Sequence, residues 1–272
     1  MERLSELLNR LSLSAGVFYT GNICGVHGFE KDTRRGHMHL IRHGPVKLIG
    51  GRDGCFSITE PTLVFMPSPD AHQLIADERE GADVVCAAIM LGAGRHNPIA
   101  DSLPSLVLIP LSQLAGAHPL LELLYDEAFS NHCGKQASLD RLCELLMIRV
   151  LRYCVDNGIT NNGTLSGLAD PRLAKVLTAI HGDAAHQWEL SEMAQVAGMS
   201  RARFALHFRK VVGQTPASYL SSWRLTLAQA LLRAGRPLKH VAIEVGYGSA
   251  SALTRAFSRK LGTSPKAWLR TV

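Results

Sequence analysis

WELSEMAQVAGMSRARFALHFRKVVG, residues 188–213, and PLKHVAIEVGYGSASALTRAFSRKLG, residues 237–262, share one plan: a short amphipathic helix, a glycine turn and a second helix. In the first stretch Leu190, Met193, Ala194 and Ala197 fall on one helical face, Gly198 supplies a turn that tolerates positive φ, and Ser200 stands where it can cap the next helix. In the second, Val241, Ala242 and Val245 form the inner face, Gly246 and Gly248 flank the turn, and Ser249 occupies the cap position. This order of parts is helix-turn-helix grammar. It repeats after about 48 residues, so the two units span about 189–212 and 238–261.

An advance of about 100° per residue predicts which side chains of each second helix face away from the core. In the first unit Phe204, Phe208, Val211 and Val212 gather on one side; Ala202, Leu206, Arg209 and Lys210 stand opposite, with Arg203 at the margin. In the second, Leu253, Phe257 and Leu261 point inward, while Ser251, Arg255, Ser258 and Arg259 form an outward array of hydrogen-bond donors. A helix carrying such an array is narrow enough to enter a major groove. Pro216 to Gly235 separates the units by a helix of about 19 residues, roughly 28 Å long. Two probing helices held about 34 Å apart enter successive turns of one duplex, which makes double-stranded DNA the expected partner.

Charge agrees with that partner. Residues 171–272 hold 15 Lys and Arg against 4 Asp and Glu, a net +11, whereas the first 170 residues hold 14 against 19, a net −5. A basic end of this kind attracts a polyanion. At 272 residues the chain is long enough for two domains. It shows no run of about 18 apolar residues and no secretory leader pattern, so a cytoplasmic protein with no membrane partner is expected.

The expected fold class is α+β in two domains. From about residue 14 to 112, short apolar runs such as CFSITEPTLVFMP (55–67) and GADVVCAAIML (81–91) alternate with Gly, Pro, Asp and His clusters, which predicts many short strands in a small antiparallel barrel or sandwich. HPLLELLYDEAF (118–129) and SLDRLCELLMIRVLRYCVDNG (138–158) then carry helical spacing, with Ser138 as cap, Gly158 as terminator and a stripe of Leu142, Leu145, Leu146, Arg149 and Tyr153 that suits either a dimer seam or packing on the barrel. ITNNGTLSGLAD (159–170) has the composition of a flexible connector. The expected domains are therefore 1–158, with a helical part at 118–158, a linker at 159–170, and an all-helical domain at 171–272 that opens on Asp170 as cap and Pro171 in the first turn.

Over about residues 172–272 the chain resembles the AraC/XylS family of bacterial regulators. The likeness lies in LSEMAQVAGMSRARFALHFRKVVGQTPASYL (190–220), the Arg224–Leu232 helix and IEVGYGSASALTRAFSRKLGTSPKAW (243–268). The resemblance implies a seven-helix DNA-binding domain that contacts bases from the second helix of each unit. Many relatives carry a polar or basic residue where Leu206 stands, so this chain departs from the pattern there. The expected division of labour has Ala202 and Leu206 meeting thymine methyls while Arg209 and Lys210 hold phosphates, with Arg203 at the edge of the same DNA-binding face. Ser251 and Arg255 read bases, flanked by Ser258 and Arg259. A homodimer is expected as well, and a contact with RNA polymerase if the chain activates.

The first part resembles the cupin-type sensor domain of one branch of that family. GHMHLIRHGPVKLIGG (36–51) sets His37, His39 and His43 before Gly50, similar to a first cupin motif with His43 in place of its glutamate, and PSPDAHQL (67–74) sets His72 at the place of the second motif's ligand. Four imidazoles converging in a small barrel suit a divalent transition metal such as zinc or nickel. The six cysteines show no CxxC or zinc-ribbon spacing. Cys24 and Cys86 resemble, by position, the sensing pair of the reactive-chlorine-responsive RclR-like branch, which makes an oxidant a rival signal. A small organic effector in the barrel is the third. From another class, a cupin-type metal-dependent enzyme with a helical accessory domain is the alternative; the missing glutamate ligand, and the lack of a nucleophile paired with a base, count against it.

Overall fold

A computed structural model describes residues 3–11, 13–32, 35–50, 54–68, 70–92 and 97–270. The chain divides into two compact units, and it passes between them more than once. One unit comprises residues 13–91 and 103–160; the other comprises 1–12, 92–102 and 161–272.

The first of these is the expected β-rich domain. Its strands are β1 (Leu13–Ile23), β2 (Gly25–Phe29), β3 (Gly36–His43), β4 (Val46–Gly50), β5 (Cys55–Ile58), β6 (Thr62–Met66), β7 (His72–Ala76), β8 (Ala82–Leu91) and β9 (Val107–Pro110). They form a five-stranded sheet in the order β1-β8-β3-β6-β9 and a four-stranded sheet in the order β2-β7-β4-β5. Every pairing is antiparallel. Ile23, Ile41, Leu48, Val64, Leu74 and Val84 come from both sheets into one buried cluster, so the sheets enclose a shared core.

Two helices complete this unit, α2 (His118–Phe129) and α3 (Lys135–Asp156). The start of α3 corrects the expectation at Ser138: Gly134, at φ 82°, holds the N-terminal cap position, and Ser138 lies inside the first turn. Gly158 does end the helix, at φ 66°. The buried stripe of α3 also differs from the expected one. It runs through Leu139, Cys143, Leu146, Met147, Val150, Leu151, Cys154 and Val155, leaving Leu145 47% exposed. Several overlapping stripes of this leucine-rich helix are apolar, and packing against β1 and α2 selects among them.

The second unit is helical: α1 (Ser5–Arg10), α4 (Thr164–Ala169), α5 (Leu173–Gly182), α6 (Leu190–Val196), α7 (Arg201–Val212), α8 (Pro216–Arg233), α9 (Leu238–Glu244), α10 (Ala250–Leu261) and α11 (Pro265–Leu269). The run from α5 to α11 supplies seven helices, as the family resemblance implies. Two departures concern the boundary. Residues 159–170, expected as a connector, contain α4, whose Leu165 and Leu168 are fully buried against α5 and α7. The N-terminal α1, expected in the β-rich domain, packs on α5, with Leu7 and Leu11 buried and Arg10 donating to the Gly182 carbonyl at 2.9 Å. Among the described residues no helix is long and apolar enough to cross a membrane.

Candidate functional site

In the helical unit, the two predicted turn motifs form as α6–α7 and α9–α10. Gly198 and Gly246 adopt φ of 64° and 86° in the turns, a region costly for side chains other than glycine. Phe204, Phe208 and Val212 bury one face of α7, and Leu253, Ala256 and Phe257 bury one face of α10. Val211 and Leu261, expected inside, are only half-buried. On the outer faces, Ala202, Arg203, Leu206, Arg209 and Lys210 are exposed on α7, and Ser251, Arg255 and Arg259 on α10; Ser258 is half-buried. Leu206 is 74% exposed at the centre of its face. Neither helix carries an acidic residue, and none of the ion pairs among the described residues engages Arg203, Arg209, Lys210, Arg255 or Arg259.

These faces are held from behind. His207 of α7 meets Asp170 at 2.7 Å, while the same carboxylate accepts from the Arg172 and Leu173 amides, so it also performs the expected capping of α5. The spacer α8 begins where Pro216 predicts, with Thr215 as its cap accepting from the Ser218 amide, and its 18 residues span about 27 Å. Sequence reasoning missed the role of Arg224 in α8. Its Nε donates to the Ala184 carbonyl and its Nη2 to the His186 carbonyl, both at 2.8 Å, on the segment leading into α6. The same guanidinium lies 5.8 Å from the Tyr247 ring centre in the turn of the second motif, where a side chain at Gly246 would collide with it at 2.8 Å. One buried arginine therefore ties the first motif to the second. Its signal was its place on a largely apolar helix.

In the β-rich unit, three of the four predicted histidines converge. His37 and His39 of β3 and His72 of β7 each offer a ring nitrogen, and these atoms lie within 4.8 Å of one another, all three residues buried. Gly50 of β4 sits opposite His72 at φ 129°; a Cβ there would lie 2.7 Å from the His72 Cα, so the glycine lets the two strands close on the cluster. The Phe29 ring stacks on His72 with centres 5.1 Å apart. His43 does not join them. Strict alternation would point it inward, but the register shifts between Ile41 and His43, and its ring is exposed at 3.5 Å from Asp83.

Burial lowers the pKa of all three clustered histidines, and His72 lowers those of His37 and His39 further. Neutral imidazoles keep the lone pairs that a metal requires. His37 Nδ1 is buried with no hydrogen-bond partner, which suits a ligand atom facing an ion. The donor set fits a borderline divalent ion, and His37 lines a cavity of about 430 Å³ whose rim carries Glu30, Lys31, Asp32 and Arg35, so the cluster has an approach from that side.

The expected cysteine pair is not brought together. Cys86 lies opposite Tyr19 on the β1–β8 ladder, whereas Ile23, which precedes Cys24, pairs with Ala82, four residues and about 13 Å farther along. That separation exceeds what a disulfide bridges. Cys24 is exposed; Cys86 is fully buried, and burial raises its thiol pKa, the reverse of what a reactive thiolate needs.

Comparison with known proteins bears on both units. A cupin family matches residues 2–156, and a helix-turn-helix domain family matches residues 193–271. An AraC-like transcription regulator of Streptomyces antibioticus is 37% identical over 256 residues, covering 85% of this chain and 83% of that one. The chain belongs to the AraC-like transcription regulators. Another relative of this AraC-like regulator, from Streptomyces lividans, is 32% identical over 85% of the chain and 83% of its own length. The RCS-specific transcriptional activator RclR of Escherichia coli is 29% identical, over 84% and 81% respectively. This AraC-like protein is thus a DNA-binding regulator with an N-terminal cupin domain.

Proposed function

We propose that this regulator grips DNA with the outer faces of α7 and α10 and takes its signal as a divalent transition metal, zinc or nickel, at His37, His39 and His72. The observation that carries the first half is the pair of acid-free, exposed basic faces on the second helix of each motif. Arg203, Arg209 and Lys210 hold phosphates, while Ala202 and Leu206 meet thymine methyls through their exposed apolar surface. Ser251 and Arg255 read base edges, with Ser258 and Arg259 at the flanks.

The metal reading is carried by the three converging, neutral imidazoles. An ion held there would join β3 of one sheet to β7 of the other, so occupancy would change the stability of this unit. The relatives named above are all transcription regulators, which favours a sensor over a catalyst for this cupin domain. A cytoplasmic homodimer completes the reading, supported by the exposed Leu123 of α2 and Leu145 of α3, with RNA polymerase as a further partner if the chain activates.

Gel shift on the DNA upstream of the chain's own coding sequence tests both halves, repeated with added zinc, nickel and chelator. The expected result is a specific shift whose midpoint moves on chelation. A shift indifferent to metal and chelator removes the metal signal, and failure to bind any duplex removes the DNA reading.

A further inference from the structure

The fully buried Cys86 has no role in the reading above, yet it touches the cluster. Its Sγ lies 3.1 Å from His39 Nδ1, and His39 Nε2 lies 3.0 Å from His72 Nε2. His72 Nδ1 in turn lies 2.9 Å from the Asp70 carbonyl oxygen. Proton positions follow from the far end of this row. A carbonyl only accepts, so His72 Nδ1 carries the hydrogen and its Nε2 presents a lone pair. His39 Nε2 must then donate to His72, which leaves His39 Nδ1 as the acceptor of the Cys86 S–H.

Were a metal ion held by these histidines, the middle of this row would reverse. His72 Nε2 would present its lone pair to the ion, and for His39 to join through the nitrogen beside it, its hydrogen would have to sit on Nδ1 rather than Nε2. That nitrogen faces Cys86 and, in the row described, has no other partner. Ligating imidazoles commonly donate their second N–H to a fixed acceptor that sets the tautomer. Asp70 is that acceptor for His72.

We propose that Cys86 is the corresponding acceptor for His39, a positioning residue behind the metal rather than a metal ligand or a redox thiol. This rests on the three-histidine reading and names the group that regulates its affinity. The register supports it independently: His39 and Cys86 are direct cross-strand partners on β3 and β8, so their contact is built into the sheet. Replacing sulfur by a methyl leaves a buried N–H unanswered in the metal-bound state, and a hydroxyl restores an acceptor.

Cobalt(II) titration of the full-length protein tests this, with Cys86→Ala, Cys86→Ser and Cys24→Ser compared with wild type. Wild type is expected to bind cobalt with visible bands but without sulfur-to-cobalt charge transfer in the near ultraviolet. Affinity should fall about 10–100-fold in Cys86→Ala, recover substantially in Cys86→Ser and stay unchanged in Cys24→Ser. A charge-transfer band in wild type that Cys86→Ser abolishes makes Cys86 a ligand and overturns the proposal; so does unaltered affinity in Cys86→Ala. If Cys86→Ala fails to fold, the wild-type spectrum and the Cys86→Ser affinity still decide. Failure of wild type to bind cobalt, zinc or nickel overturns the three-histidine reading itself.

Discussion

At the scale of single residues, Arg255 and Lys210 separate two kinds of DNA contact. Arg255 stands exposed amid the donors of α10, so Arg255→Ala should cost about 1–3 kcal/mol on the preferred sequence and relax one base position. Lys210→Ala should weaken all sequences alike and flatten the salt dependence by about one unit. Fluorescence anisotropy on preferred and scrambled duplexes at several salt concentrations checks both; equal losses for Arg255→Ala on the two duplexes would refute its assignment. In the sensor unit, Gly50→Ala forces a Cβ against the His72 backbone and should lower zinc affinity at least about tenfold, read by competition with a chelating dye. Unchanged affinity would show that the β4–β7 approach does not set the cluster. His37, His39 and His72 were legible because their spacing resembles a known motif. His43 was misplaced because a bulge, invisible in composition, reverses the parity of the strand at Ile41. Cys24 and Cys86 were paired by position in the chain alone, and register separates them.

At the scale of elements, helical periodicity with glycine turns was enough to locate α6, α7, α9 and α10, since each buries one face and exposes the other. Cap chemistry was harder to read. Ser249 accepts from the Ala252 amide, whereas Ser200, in the equivalent place before α7, makes no side-chain capping bond. Ser249→Ala should therefore destabilise the helical unit by about 1 kcal/mol, and Ser200→Ala by no more than a few tenths. Urea unfolding of the two variants checks this, and equal losses would contradict it. The connector over 159–170 hid α4 because its Thr, Ser and Gly residues lack strong helix propensity, and burial of Leu165 and Leu168 overrides that weakness. Arg224 of α8 holds the approach to the first motif through the Ala184 and His186 carbonyls and meets the second at the Tyr247 ring; its place on a largely apolar helix marks it out in the sequence, but its partners are set only by tertiary packing. Arg224→Ala should cost about 2–3 kcal/mol of stability and loosen the fixed relation of α7 to α10. Loss of stability without any loss of DNA affinity would show that the motifs are oriented by other contacts.

For the whole molecule, the excess of positive charge in residues 171–272 and its deficit in the first 170 were readable by counting, and so was the division into a β-rich and a helical part. That α1 belongs to the helical unit was not, because membership there depends on tertiary packing of Leu7 and Leu11 rather than on local pattern. The helical unit also carries an acid sensitivity. His181 is fully buried, in contact with the Tyr219 hydroxyl at 2.6 Å and beside Trp223, and burial lowers its pKa from 6.5 to about 3. The unfolded chain therefore takes up this proton first, so the stability due to neutral His181 is intact above pH 6.5 and is lost as pH falls toward 3. Thermal melts across that range should decline with acid, and His181→Phe should flatten the decline; an unchanged slope would contradict the assignment. The central claim is that one chain places two reading helices on one duplex. Selection of bound duplexes from a random pool tests it most directly. Two enriched blocks centred about 10–10.5 base pairs apart are predicted, with affinity collapsing when five base pairs are inserted between them. A single enriched block, or indifference to the insertion, would contradict it.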